Sequence, residues 1–125
     1  GYPVKISGNK IAAIAAGDTA ADVYGFLVRI FPATSGSLEQ DFDSAVPVPH
    51  GLHPVMTRGY INVLCAAGTA AKNGAGYMRV AAGAGNAPVG RIEAAEIPGE
   101  TVAIPNCIFT GPVDENSITE VRFWR

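Results

Sequence analysis

The sequence predicts an all-β fold, a β-barrel or a β-sandwich built from short antiparallel strands. Runs of β-branched, aromatic and alternating apolar residues recur about every ten residues, with turn residues between them, as in sandwiches and barrels. The 15 Gly and 9 Pro residues are spread along the chain without a collagen-like period, which is typical of turns. The chain has 125 residues, 48% of them hydrophobic, so we expect a single domain over residues 1–125 with its own core.

The first two predicted strands form a hairpin. Residues 3–7 and 10–14 flank Gly8 and Asn9, a pair that suits a two-residue turn because Gly accepts a positive φ. Residues 23–31 form the next run and are apolar on both faces, so we expect a strand that is buried on both sides or packed against a partner subunit. Their β-branched and aromatic residues favour a strand over a helix.

Residues 32–53 interrupt the strand pattern. Segments rich in Pro, Gly and Ser flank an acidic stretch at residues 39–43, and no period of two or of 3.6 runs through them. A loop of this length in a small domain is usually functional or mobile. We therefore expect one long exposed loop over about residues 32–53.

Strands resume at residue 55. Alternation over residues 55–65 separates two faces, with Ile61, Val63 and Cys65 on one and Tyr60, Asn62 and Leu64 on the other. Further strands are predicted at residues 77–80, 89–94, 101–104 and 118–124. Pro105 follows one of them, and because it has no amide hydrogen it fits only an edge strand or a bulge.

Three Ala-rich segments are the helical alternative, at residues 11–21, 65–71 and 92–97. Ala is the best helix former, but Gly17, Gly68 and Pro98 stop these segments within two or three turns. The pattern therefore leaves room for one short helix and favours strands elsewhere.

Charge and composition exclude several classes of function. The net charge is −2 and no basic block occurs, which argues against a nucleic-acid partner. The chain has no run of eighteen apolar residues, so no membrane-spanning helix is expected, and its start at Gly1 shows no signal-peptide pattern. Whether a segment precedes Gly1 stays open. Charged residues make up 16% of the chain, below the usual share of about 25%, which suits a structural or interaction module better than an enzyme.

Candidate chemistry is sparse. His50 and His53 stand three residues apart, but Pro49 and Pro54 disfavour a helix there and no third ligand follows at a recognisable spacing. No G-x-S-x-G motif occurs, and the Ser, His and Asp residues near position 44 share no known catalytic spacing. We therefore predict no catalytic residue, no metal and no cofactor.

Cysteines and paired acids are expected to be structural. Cys65 and Cys107 lie within apolar runs and are predicted to be buried free thiols, since a disulfide would require their strands to be neighbours. Two acidic pairs, Glu93 with Glu96 and Asp114 with Glu115, suggest solvated or capping groups more than a catalytic pair. Aromatic and basic residues occur together at residues 77–79 and 122–125, without the enrichment that nucleic-acid stacking needs.

Several segments resemble the capsid cement (decoration) proteins of tailed bacteriophages: residues 1–4, 16–18, 23–29, 58–63, 67–69, 72–74, 76–80 and 102–123. This resemblance covers most of the chain except residues 32–53. It implies a protein without catalytic activity that binds the outer surface of an expanded phage head and stabilises it by bridging major capsid protein subunits. It also implies self-association, for which we favour a trimer because capsid lattices offer threefold sites, with a dimer as the alternative.

Eight residues are candidates for contact with the capsid or with another copy of the chain: Val23, Tyr24, Phe26, Val28, Phe31, Leu38, Phe42 and Trp124. Residues 23–31 are assigned to subunit packing and residues 32–53 to the capsid, while Trp124 is a residue type common at interfaces. Two other functions stay open. One is a β module of a phage tail or baseplate, and the other is a small ligand- or metal-binding barrel that uses the loop from His50 to His53.

Overall fold

Two antiparallel sheets make up the fold. The computed structural model describes residues 1–28, 51–83 and 88–125. The first sheet has the strand order β2-β1-β3-β4 and contains β1 (Pro3–Ser7), β2 (Lys10–Ala13), β3 (Gly25–Leu27) and β4 (Val55–Met56). The second sheet has the order β5-β9-β8-β6-β7 and contains β5 (Arg58–Leu64), β6 (Ala75–Arg79), β7 (Ile92–Glu93), β8 (Thr101–Phe109) and β9 (Ile118–Trp124).

These sheets confirm the all-β prediction and select the sandwich over the barrel. Within the described ranges the strands do not close into a barrel, although one isolated parallel bridge joins Cys65, just after β5, to Ile92 of β7. This bridge links the two edges of the five-stranded sheet at a single point. The sheet therefore curls around its own inner face, and this explains why Ile92 is buried in a strand of only two residues.

The predicted hairpin is confirmed. β1 and β2 pair antiparallel around Gly8 and Asn9, with Ile6 opposite Ile11. The described part of the run 23–31 contains β3, which lies between β1 and β4 in its sheet. Phe26 of this strand is fully buried, as expected for a strand covered on both sides.

The predicted strand over residues 55–65 is two strands that belong to different sheets. The break falls at Thr57, after which the chain leaves β4 and enters β5. The predicted alternation is confirmed in β5, since Val63 is buried while Tyr60 is 61% exposed. A segment that the sequence predicts as one strand thus contributes to both layers of the sandwich.

Pro105 lies in a bulge, as its missing amide hydrogen predicts. β8 pairs with β6 on both sides of an irregularity, where Ala103 faces Tyr77 and Ile108 faces Ala75. Asn106, next to Pro105, has a φ of 56°. The strand predicted at residues 101–104 therefore continues past the proline to Phe109, with the kink placed where pairing is already interrupted.

The described residues contain no α-helix. A single 3-10 turn, Ala20–Asp22, falls at the end of the first Ala-rich segment. Asp22 accepts hydrogen bonds from the backbone nitrogen and the hydroxyl of Thr19, which fixes the start of this turn. Accordingly, no helix in the described residues is long and apolar enough to cross a membrane.

The core lies between the two sheets. Phe26 of the first sheet packs edge-on against Phe123 of the second, with ring centroids 5.2 Å apart. Met78, Phe109 and Val121, from three strands of the second sheet, are all fully buried in the same cluster.

Both cysteines are buried and free, as predicted. Burial in apolar surroundings raises the pKa of the Cys107 thiol to about 12, and burial also raises the pKa of Cys65. The Cys65 thiol lies 3.3 Å from the carbonyl oxygen of Ala67. Neither sulfur is therefore disposed to react as a thiolate.

Candidate contact surface

The acidic pairs suggested by the sequence do not form a catalytic carboxylate pair. The sequence suggested that Glu93 is solvated. This prediction is wrong, because its side chain is 1% exposed and lies against Arg79. Glu96 is exposed and takes no part in this contact. Glu93 is buried because it lies in β7, which pairs with β6 and brings Glu93 beside the guanidinium of Arg79.

Arg79 links two carboxylates. Its Nε and Nη2 donate to the two oxygens of Glu93 at 2.5 and 3.0 Å, and its Nη1 donates to Glu100 at 2.5 Å. The hydrogen bonds that Arg79 donates to Glu93, and then the one to Glu100, hold the pKa of Arg79 well above its ordinary value. Arg79, Glu93 and Glu100 are thus all paired with one another. Their contacts join β6 to β7 and to the segment before β8, so we interpret the cluster as structural.

The two-histidine motif is not assembled into a metal site within the described residues. No group of three or more His, Cys, Asp or Glu side chains suited to a metal ion occurs in residues 1–28, 51–83 and 88–125. His50 lies outside these residues. His53 lies beside a surface groove of about 840 Å³ that is also lined by Tyr2, Leu27 and Leu52.

Apolar and charged side chains are exposed together on one face of the five-stranded sheet. The register of β5 and β9 places four pairs on the side away from the core: Arg58 with Trp124, Tyr60 with Arg122, Asn62 with Glu120, and Leu64 with Ile118. Tyr60 is 61% exposed, and Leu64 and Ile118 are each 41% exposed. Ile108 of β8 extends the same face beside Arg122. We call these nine residues the outer face.

Charge on the outer face is mostly positive. The guanidinium carbon of Arg122 lies 4.6 Å from the centre of the Trp124 ring, a cation–π contact. Its Nε is buried and has no hydrogen-bond partner in the described part of the chain. Glu120 is the acidic residue of this face, and its carboxylate accepts a hydrogen bond from the Thr110 hydroxyl at 2.9 Å.

The candidate contact residues occupy different surroundings. Val23 is 6% exposed and Phe26 is fully buried, so both side chains belong to the chain's own core. Tyr24 and Val28 are half-buried, and the Tyr24 ring lies 4.7 Å from the guanidinium carbon of Arg125. Trp124 lies on the outer face. The remaining three candidates, Phe31, Leu38 and Phe42, lie outside the described residues.

Sequence reasoning did not single out Tyr60, Leu64, Ile118 and Arg122 as contact residues. Their signal was already present in the alternation, which separates the face of Tyr60 from the face of Val63. The sequence did not reveal that β5 and β9 are neighbours in full register. Only this pairing joins two half-apolar strand faces into one surface patch, the type of feature that marks interaction sites.

A family model described as "Structural cement protein (E217 gp24/Pam3 gp6)" matches residues 1–123 of the chain. The match extends from before β1 to Phe123 of β9, so it includes both sheets and nearly all of the outer face. It also spans residues 32–53, which the resemblance seen in the sequence left out. No curated protein and no solved structure matches the chain.

Proposed function

The chain belongs to the structural cement proteins of phages, and from this premise we propose that it binds the outer surface of the phage head and bridges neighbouring major capsid protein subunits. The family match over residues 1–123 carries this proposal. As a member, the chain is a structural component of the phage capsid. Bridging without catalysis is part of the proposal, and the family membership supports it.

The architecture suits a bridging module. A small sandwich whose outer face exposes Tyr60, Leu64 and Ile118 offers a surface for contact with another protein. Each bound copy stabilises the assembled state of the shell by mass action. Because binding positions repeat over the lattice, weak individual contacts can sum to a large resistance to rupture.

Self-association is part of the proposal. Residues 23–31 are assigned to packing between copies, with Tyr24 and Val28 as the described members that retain exposed surface, and Trp124 as a further contact candidate. A trimer is favoured because capsid lattices offer threefold positions, and a dimer is the alternative. Residues 32–53 are assigned to the capsid, so deleting residues 36–46 should weaken binding to heads.

The decisive experiment is co-sedimentation of the purified protein with expanded, undecorated heads of the cognate phage. We expect saturation at a fixed number of copies per major capsid subunit, and that ratio identifies the lattice position. Decorated heads should also resist heating better than undecorated ones. If the protein stays in the supernatant at all concentrations, the proposal is wrong and a role in the tail or baseplate becomes the better explanation.

A further inference from the structure

We infer that the outer face binds an acidic segment of the capsid surface, with the Arg122 guanidinium receiving a carboxylate beside Trp124. This inference rests on the proposed function and names the surface and the chemistry by which it would act. It uses residues that neither the sequence reasoning nor the family description assigns to binding, apart from Trp124.

Arg122 presents an unmet hydrogen-bond donor. Its Nε is buried without a partner in the described part of the chain, which is costly for a charged group. The Nη1 and Nη2 groups of Arg79, by contrast, all reach carboxylates of Glu93 or Glu100. The Nη1 and Nη2 atoms of Arg122 are not buried and form no hydrogen bond within the described residues, so a carboxylate that approaches the outer face would accept two parallel hydrogen bonds from them while Nε stays buried.

The contact with Trp124 restricts the orientation of the Arg122 guanidinium. Stacking at 4.6 Å occupies one flat side of the Arg122 group and leaves the N–H edge available for planar contact. Arg58 lies opposite Trp124 in the register and adds a second positive charge at the same end of the face. The side chain of Arg58 is exposed and forms no salt bridge within the described ranges.

Within residues 1–28, 51–83 and 88–125, no acidic side chain forms a salt bridge with Arg122. Glu120 is on the same face, two residues from Arg122, but its carboxylate accepts the Thr110 hydroxyl instead. A second copy is also a poor occupant, since a contact of this face with itself would bring two surfaces of the same net positive charge together. Like charges facing each other across an interface are destabilising. Charge complementarity therefore favours a different, acidic partner.

The residue types around Arg122 match those that dominate binding energy at interfaces. Tyr, Trp and Arg are enriched among such residues, and here Tyr60, Arg122 and Trp124 are neighbours on adjacent strands. Leu64 and Ile118 lie at the other end of the same face and extend its apolar area. The face thus combines the charged Arg122 side chain with exposed apolar side chains that a bound partner would remove from water.

The test compares two arginines that both stack on aromatic rings. Arg91 lies 5.5 Å from the centre of the Tyr2 ring, outside the outer face, and serves as the matched control. We expect Arg122→Gln to weaken sedimentation with expanded heads at least about tenfold, and Arg91→Gln to leave it within about twofold. Thermal unfolding of both variants checks that they fold. Tyr60→Ser, at an exposed position, should weaken binding as well and covers the case in which Arg122→Gln does not fold.

A second measurement identifies the partner group. In Arg122→Lys, a carbodiimide should join the new amine to a nearby carboxylate as an amide, with the water taken up by the carbodiimide as it becomes a urea. Mass spectrometry should then find the cross-link to an Asp or Glu of the major capsid protein. A cross-link to Glu120 of another copy would overturn the inference in favour of self-association through this face.

The outcomes separate the inference from the proposed function. If wild type binds heads and Arg122→Gln and Tyr60→Ser bind equally well, the inference is wrong while the proposed function stands. If wild type itself does not bind, the proposed function fails and the inference fails with it. Weaker binding of both outer-face variants, with normal binding by Arg91→Gln, supports both.

Discussion

At the scale of single residues, the most consequential contact is the one between Arg79 and Glu93. Both side chains are almost completely buried, and each is the charged hydrogen-bond partner of the other. Glu100 is the third, partly exposed member of the cluster. Burying charges is costly, so such a pair adds little net stability over well-packed apolar residues. Removing one partner is different, since it leaves the other charge buried and alone.

Glu93→Gln should therefore lower the free energy of unfolding by about 3 to 5 kcal/mol, because Arg79 would lose its main charged partner. Urea unfolding monitored by the fluorescence of Trp124 measures this. Glu100→Gln is the control, and it should cost clearly less because the Glu100 side chain is 31% exposed and solvent can replace part of its contact. Equal losses for the two variants would contradict this account of the cluster.

Asp18 should give the chain part of its acid sensitivity. The backbone nitrogen of Ala15 donates to its carboxylate at 2.7 Å, and Lys5 contacts it at 2.7 Å, and these contacts hold its pKa below 3.8. A carboxylate with a lowered pKa stabilises the fold fully above its unfolded-state pKa. This contribution is lost as the pH falls from 3.8 through the folded-state pKa.

We therefore expect Asp18→Asn to lower the Tm at about pH 6, with the difference from wild type shrinking below pH 3.8. Thermal unfolding at a series of pH values measures both curves. Glu115→Gln, at an exposed turn position, is the control and should run parallel to wild type. A constant difference between Asp18→Asn and wild type at all pH values would show that the charge is not responsible.

At the scale of elements, turns decide how the strands meet. Gly68 has a φ of 83° and lies where the chain after β5 packs against the chain after β7. Backbone hydrogen bonds from Ala66 to Ile92 and from Ala94 to Ala67 fix this contact at 2.7 and 2.8 Å. A Cβ at position 68 would lie 2.7 Å from the Ala95 nitrogen. The position thus requires Gly for its conformation and for its lack of a side chain.

Gly68→Ala should consequently destabilise the fold by about 3 kcal/mol, through backbone strain and a steric clash together. Gly99 provides a matched comparison, since its φ is 80° but no atom lies within 4 Å of the added Cβ. Gly99→Ala should cost about 1 to 2 kcal/mol, from strain alone. Urea midpoints for the two variants give the comparison. A loss at Gly68 no larger than that at Gly99 would show that the clash relaxes freely.

At the scale of the whole molecule, strand register separates the residues of the core from those of the proposed contact surface. The inner faces meet through Phe26 and Phe123, while the outer face of the second sheet leaves Tyr60 and its neighbours in solvent. Apolar residues thus contribute both to the core and to the proposed contact surface, and alternation along each strand decides which of the two they join. Stability and capsid binding should therefore respond to different substitutions.

Phe26→Ala should lower the free energy of unfolding by about 3 to 5 kcal/mol, because it removes a fully buried ring from the contact between the sheets. Tyr60→Ser should change it by less than about 1 kcal/mol. Head binding measured at a temperature where both variants are folded should show the reverse order, with Tyr60→Ser the weaker binder. A folded Phe26→Ala protein that fails to bind would instead place the contact near β3.

Much of the fold follows from local chemistry. The hairpin turn at Gly8 and Asn9, the bulge at Pro105 and the alternation in β5 are each set by the backbone preferences of nearby residues, so the sequence predicted them. The division of residues 55–65 between two sheets was missed, because a strand pattern in the sequence does not show which sheet each half will join.

Less of the candidate contact surface than of the fold could be predicted from the sequence. The sequence by itself determined an all-β chain with buried thiols and few charges, and its strand and turn patterns pointed to the cement proteins. Only the tertiary structure decided that Phe26 serves the core, that Glu93 is buried on Arg79, and that β5 and β9 join their exposed residues into one face. The physical reason is that alternation and turns act between neighbours in sequence, whereas burial, ion pairing and surface patches depend on which distant strands become neighbours in space.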